Sequence, residues 1–172
     1  ESVLAQSYAN LELLVVDDGS SDDSVERIRT LQAKHGFDFV VQENKGLAAT
    51  LNDCIARSHG SLIAPFGSDD IMCPERIAIQ VAYLQGKPEV GICAGNIQPI
   101  DAKGAALPQR ERGRGLRRLD FEEVYDSLLA IAAGSPYRRP AFQIVGKTNG
   151  PASKGCRGCS INARPRESGD HK

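Results

Sequence analysis

The chain has 172 residues, 41% hydrophobic and 25% charged, with a formal net charge of −1, which is ordinary for a soluble globular protein and enough for one domain with a sizeable core. No apolar run approaches the roughly 20 residues needed to span a bilayer. Five Cys at irregular spacing do not form a disulfide framework.

The net charge conceals an asymmetry. Residues 1–100 carry 7 Lys and Arg against 14 Asp and Glu; residues 101–172 carry 14 against 8. The acidic half suits a site that holds a cation and a nucleotide. The basic half suits an anionic acceptor or a membrane surface, and equally a solvated tail. Cys54, Cys73 and Cys93 lie in apolar or helical contexts and read as reduced core or near-core thiols. With no signal peptide at the start, the expected compartment is the cytoplasm, or the inner face of the membrane.

Ser2–Tyr8 reads as the end of an amphipathic helix, and the strand that should precede it is missing, so the chain is expected to be truncated at its N-terminus. Leu11–Val16 is an apolar run that stops at Asp17-Asp18-Gly19-Ser20, the pattern of a strand buried on both faces. Ser20-Ser21-Asp22-Asp23 starts a helix, continued by Val25, Ile28 and Leu31 and closed by His35-Gly36. Phe37–Val41 is a short strand and Asn44-Lys45-Gly46 a turn. Leu47, Leu51, Cys54 and Ile55 mark a second helix. Leu62–Phe66 repeats the first pattern, an apolar strand ending in Gly67-Ser68-Asp69-Asp70. Pro74 is expected in the first turn of a third helix that Gly86 stops. Val90–Ala94 and Ile97–Ile100 are expected strands.

This alternation over 1–100 predicts an α/β domain with a mainly parallel sheet flanked by helices. Beyond it, 101–118 reads as a loop, Phe121–Ala132 as an amphipathic helix and 135–146 as a segment containing a strand. Residues 148–172 are rich in Gly, Ser, Arg, Pro and Cys. They cannot bury enough apolar surface to offset their ordering entropy and are expected to be a disordered or non-native tail. The domain expected is therefore 1–147.

The two acidic strand ends carry the candidate chemistry. Like charges placed together raise each other's pKa, and a divalent cation or a ligand's hydrogen-bond donors remove that cost. At Asp69-Asp70 one carboxylate can hold Mg²⁺ or Mn²⁺, hard cations that take further ligands from substrate phosphates, while the other accepts ribose hydroxyls. At Asp17-Asp18 a carboxylate can accept N–H donors from a base or hydroxyls from a sugar. The alternative is that both pairs only cap the helices that follow them. A common site requires the two strand ends to lie side by side, at the sheet edge where ligands bind in open α/β folds.

Cys156-Arg157-Gly158-Cys159 lacks two further ligands at zinc spacing, and His35 and His59 fit helix C-termini. Arg110, Arg112, Arg114, Arg117 and Arg118 read as a solvated loop. Little aromatic interleaving accompanies them, so no nucleic-acid partner is expected.

Four blocks in register resemble a family 2 glycosyltransferase: Ser2–Ser7, Glu12–Asp22, Asn44–Ala49 with Asn52, and Ser58–Ile63 with Ser68-Asp69-Asp70 and Pro74-Glu75-Arg76. A weaker match extends to Tyr137-Arg138-Arg139 and Gly146. The resemblance implies a GT-A, Rossmann-like fold, present here incompletely. It also implies transfer of a sugar from a nucleotide-diphosphate-sugar donor to a glycan, lipid-linked or protein acceptor hydroxyl, inverting and metal-dependent, in cell-surface polysaccharide or glycoconjugate synthesis. It places Asp18 on the donor's base with Asp17 close by, Asp70 on the metal, and Asp69 near the ribose, phosphates and metal. Gly67 stands where many members have another Asp. The family's base lies in a Glu-Asp pair beyond the region of Gly146. No such pair occurs there, no catalytic residue is assigned, and the chain alone is expected not to transfer sugar. The competing readings are a sugar nucleotidyltransferase and a non-catalytic nucleotide-binding remnant. A nicotinamide dehydrogenase is disfavoured because no G-x-G-x-x-G follows a strand.

Overall fold

A computed structural model of the chain describes residues 1–95 and 97–108, together with the backbone of two further strands at 137–138 and 158–163. The elements are β1 (Leu11–Asp18), α1 (Ser24–His35), β2 (Asp38–Gln42), α2 (Leu47–Arg57), β3 (Leu62–Gly67), α3 (Arg76–Gln85), β4 (Tyr137–Arg138) and β5 (Gly158–Ala163). The described strands form one sheet in the order β2-β1-β5-β3-β4. β1 and β2 pair in parallel, and β5 pairs antiparallel with both β1 and β3. Thus β1, β2 and β3 share one direction, as strand–helix–strand crossovers require, while β4 and β5 run against them.

The alternation of strand side chains divides the core in two. On one face, Leu62, Ala64 and Phe66 of β3 pack with Met72 and with Ile77, Val81 and Leu84 of α3; Val3, Tyr8, Leu11 and Leu13 join them. On the other, Leu14 and Val16 of β1 pack with Cys54 of α2 and with Val40 of β2. β1 and β3 thus bury side chains on both faces, which is why they read as near-continuous apolar runs.

Most expected elements of 1–86 form where the pattern puts them. Gly36 ends α1 in the left-handed conformation, at φ 69°. Residues 1–6 make a turn rather than a helix end, with Leu4 and Ala5 N–H donating to the Glu1 carbonyl. Pro74 lies before the cap residue Glu75, outside the first turn of α3. Residues 90–94 and 97–100 form no strand. Ile100 makes an isolated bridge to Ala106, and Gly91, Gly95 and Pro99 interrupt any longer ladder. Cys54 is buried, but Cys73 is exposed rather than near-core.

The largest departure concerns 148–172. No strand is expected there, yet Gly158–Ala163 forms β5, hydrogen-bonded on both sides within the sheet. Ladder bonds depend on backbone groups, so a segment poor in apolar residues can still fill a gap between two strands. The expected 121–132 helix and most of the 101–118 loop lie outside the described residues. β4 falls within the expected strand segment 135–146. No helix among the described residues is long and apolar enough to cross a membrane.

Candidate functional site

The acidic strand ends leave the sheet at one edge, but they are not neighbours. Cys159 of β5 pairs with Val15 on one side and Phe66 on the other, so Val15 and Phe66 are level. The acids that follow them emerge on the same rim, separated by two strand spacings, roughly 10 Å. The expected side-by-side arrangement is corrected in this respect, because β5 occupies the place between.

Asp17 and Asp18 share no hydrogen-bond partner among the described residues. Successive side chains of a strand point to opposite faces. Asp18 shares the face of Leu14 and Val16 and meets the start of α2. Its Oδ1 accepts from Gln42 Nε2 (2.7 Å) and Lys45 N–H (3.1 Å), and its Oδ2 accepts from Gly46 N–H (2.9 Å). Gln42 also donates to Thr50 Oγ1 at 2.7 Å. Burial pushes the Asp18 carboxyl upward, but Gln42, the Lys45 amide, Thr50 and the Gly46 amide outweigh it and hold the pKa below the usual aspartate value. Asp18 therefore anchors the helix after the next strand, not the helix that follows it in sequence.

Asp17 is 1% exposed. Its Oδ1 accepts from Ser20 N–H at 2.8 Å and closes the turn after β1. Its buried Oδ2 has no hydrogen-bond partner among the described residues. Gly19 takes φ 82° within that turn, and a Cβ there would lie 2.9 Å from Asn44 N. The β1–α1 turn and the Asn44-Lys45-Gly46 loop thus touch through a glycine, forming one side of the rim. Lys45 pairs with Asp53 at its outer edge.

Asp69 and Asp70 form the other side. Both are exposed. A Cβ on Gly67 would lie 2.7 Å from Asp69 Oδ1 and 3.3 Å from Asp70 Oδ2, so both carboxylates converge above the bare Gly67 backbone. Asp70 is exposed at its surface, yet partial desolvation by the surrounding protein, then the neighbouring Asp69 charge, raises its pKa against the opposing pull of Arg76. This is the condition of a carboxylate that a cation would relieve. No cluster of three or more His, Cys, Asp or Glu that could hold a metal is found among the described residues. Two carboxylates nonetheless suit a cation such as Mg²⁺, which is commonly held by one or two carboxylates with the rest of its shell from phosphates and water.

Residues missed in the sequence support this rim. Gln42 and Thr50 hold Asp18; a polar residue ending the short apolar strand Phe39-Val40-Val41 was the available signal for Gln42. Ser2 and Gln6 hold the segment after Asp70: Met72 N–H donates to Ser2 Oγ, and Gln6 bonds Cys73 O and Ile77 N–H. At the opposite edge of the sheet, Glu12 accepts from His59 N–H (2.9 Å) and Gly60 N–H (3.2 Å), with His59 Nδ1 at 2.8 Å. His59 thus pairs with β1 rather than capping its own helix.

The chain is 42% identical over 89 residues to "Putative glycosyltransferase EpsE" of Bacillus subtilis (strain 168), covering 49% of this chain and 32% of that protein. It is 32% identical over 116 residues to "Uncharacterized glycosyltransferase alr2836" of Nostoc sp. (strain PCC 7120), covering 63% and 36%. It is 30% identical over 96 residues to "Poly-beta-1,6-N-acetyl-D-glucosamine synthase" of Staphylococcus aureus (strain COL), covering 55% and 23%. The chain therefore spans only a minor part of the length of these relatives. The model of the family described as glycosyl transferase family 2 matches residues 1–146, most of the chain, with the acidic strand ends and both loops of the rim inside it, and the chain belongs to that family.

Proposed function

We propose that this chain is the donor-binding part of a glycosyltransferase that moves a sugar from a nucleoside diphosphate to an acceptor hydroxyl, with inversion and with Mg²⁺ or Mn²⁺. The observation that carries the reading is the convergence of Asp69 Oδ1 and Asp70 Oδ2 above Gly67, on the same sheet edge as Asp18. Family membership supports the reaction class. The name of the staphylococcal relative supports polysaccharide or glycoconjugate synthesis as the setting.

Each residue has a role its surroundings permit. Asp18, held by Gln42, the Lys45 and Gly46 amides and Thr50, would set the loops that face the donor's base and contact that base. Asp17 shapes the turn beside the base through Ser20. Asp70 would hold the cation, with Asp69 shared between cation and ribose. When bound, the cation would offset the charge of the departing diphosphate. The acceptor's proton needs a base, and no residue of this chain is assigned that part.

Calorimetry with uridine diphosphate tests the reading. Binding is expected with Mn²⁺, and to be much weaker without it or in Asp70→Ala. Equal binding in all three cases would overturn the proposal. No sugar transfer is expected from the chain by itself, and robust turnover would show that a base is present after all.

A further inference from the structure

Asp69 and Asp70 are exposed, so their aim depends on the backbone that carries them. That backbone is held from a distant part of the chain. Four of its groups within seven residues after Asp70 bond to residues 2–7. Met72 N–H donates to Ser2 Oγ at 3.1 Å. Gln6 Nε2 donates to Cys73 O at 2.8 Å. Ser7 N–H donates to Pro74 O at 2.9 Å. Ile77 N–H donates to Gln6 Oε1 at 3.1 Å. The strap is seated by Val3 and Tyr8, which pack against the α3 side of the core.

Gln6 stands at the centre of this arrangement because its one amide does two things. Ile77 is the second residue of α3, and its N–H is one of the first four in a helix that lack an intrahelical acceptor. The cap residue Glu75 makes no side-chain cap hydrogen bond. Gln6 Oε1 supplies that acceptor from across the fold, while its Nε2 fixes the carbonyl three residues beyond Asp70. Gln6 Nε2 also lies 3.2 Å from Ser2 O, which holds the amide in the orientation that serves both bonds.

We infer that Gln6 is a positioning residue for the cation-binding carboxylates: by clamping Cys73 O and Ile77 N–H it fixes the segment that aims Asp69 and Asp70 over Gly67. The inference rests on the metal reading above, and its test separates the two. Groups that orient metal ligands without touching the metal typically change affinity by about 10–100-fold.

Two variants of the 172-residue chain divide the clamp. Gln6→Met keeps the bulk and loses both bonds. Gln6→Glu keeps the acceptor for Ile77 and loses the donor to Cys73. Mn²⁺ affinity is measured by calorimetry, and amide hydrogen exchange of residues 70–77 is measured without metal. Gln6→Met is expected to lose at least about tenfold in Mn²⁺ affinity and to exchange faster at Met72 and Ile77. Gln6→Glu is expected to fall between it and the unsubstituted chain, with Ile77 still protected. Glu12→Gln, at the far edge of the sheet, controls for lost stability and should leave Mn²⁺ affinity unchanged. Unchanged affinity in Gln6→Met, beside an unsubstituted chain that binds Mn²⁺, would overturn this inference alone. An unsubstituted chain that binds no Mn²⁺ would overturn the metal reading and this inference together. Unchanged exchange at 70–77 in Gln6→Met would overturn the clamp itself.

Discussion

Asp18 and Gly46 are 28 residues apart in sequence, and the Gly46 N–H donates to Asp18 Oδ2 at 2.9 Å. The bond joins the end of β1 to the start of α2 and passes over β2. One carboxylate thereby ties together the two loops that would face a nucleotide. Replacing it leaves buried donors without an acceptor. Asp18→Asn is expected to lower stability by about 1–3 kcal/mol in urea denaturation. Because the folded pKa is depressed, the carboxylate's contribution is present above the unfolded aspartate value of 3.8 and is lost as pH falls through the lower folded value. The difference between Asp18→Asn and the unsubstituted chain should therefore persist at pH 5.

Asp70 has the opposite sign. Its pKa is raised, so its ionisation works against folding, and stability attributable to it declines as pH rises from 3.8 through the folded value. Binding a cation requires the ionised form. Mn²⁺ affinity is expected to weaken on acidification at a pH where ordinary aspartates are still charged, and Asp70→Asn should remove that dependence. Calorimetry across a pH series checks both.

The two glycines at the rim should respond differently. At Gly67 a methyl group would meet two side-chain oxygens that can move aside, so Gly67→Ala should fold but bind Mn²⁺ more weakly. At Gly19 it would meet the Asn44 backbone at 2.9 Å, with φ at 82°. Gly19→Ala should cost at least about 1–2 kcal/mol from the left-handed conformation alone, read as a lower urea midpoint.

Glu12 predicts a purely structural effect. Burial raises its pKa, but the bonds and charge from His59 and the Gly60 amide lower it further, and the net shift is downward. Glu12→Gln should cost about 1–3 kcal/mol at pH 7, with the difference shrinking as pH falls below the unfolded value of 4.5. Donor binding should be unaffected, since Glu12 and the rim lie at opposite edges of the sheet.

β5 offers the sharpest test of the fold. It pairs with β1 through Leu11–Val15 and with β3 through Leu62–Gly67. Truncation after Lys147 should leave those strands facing a gap and abolish cooperative unfolding followed by circular dichroism. A truncated chain with an unchanged urea midpoint would show that 148–172 is dispensable.

Local pattern determined a large share of this protein. The runs Leu11–Val16 and Leu62–Phe66, the helical spacing from Val25 to Leu31 and the Gly36 stop are short-range signals, because each reflects backbone geometry within a few residues. The four acids were legible for the same reason, as charges that interrupt buried strands. Only the tertiary structure decided what these acids face. Strand alternation sends Asp17 and Asp18 to opposite sides, and the Gln42, Lys45 and Gly46 donors, the Gln6 clamp and the insertion of β5 between β1 and β3 all join residues tens of positions apart. Such contacts leave no periodicity in the sequence, since a hydrogen bond or a ladder pairing requires only that two backbone or side-chain groups meet in space.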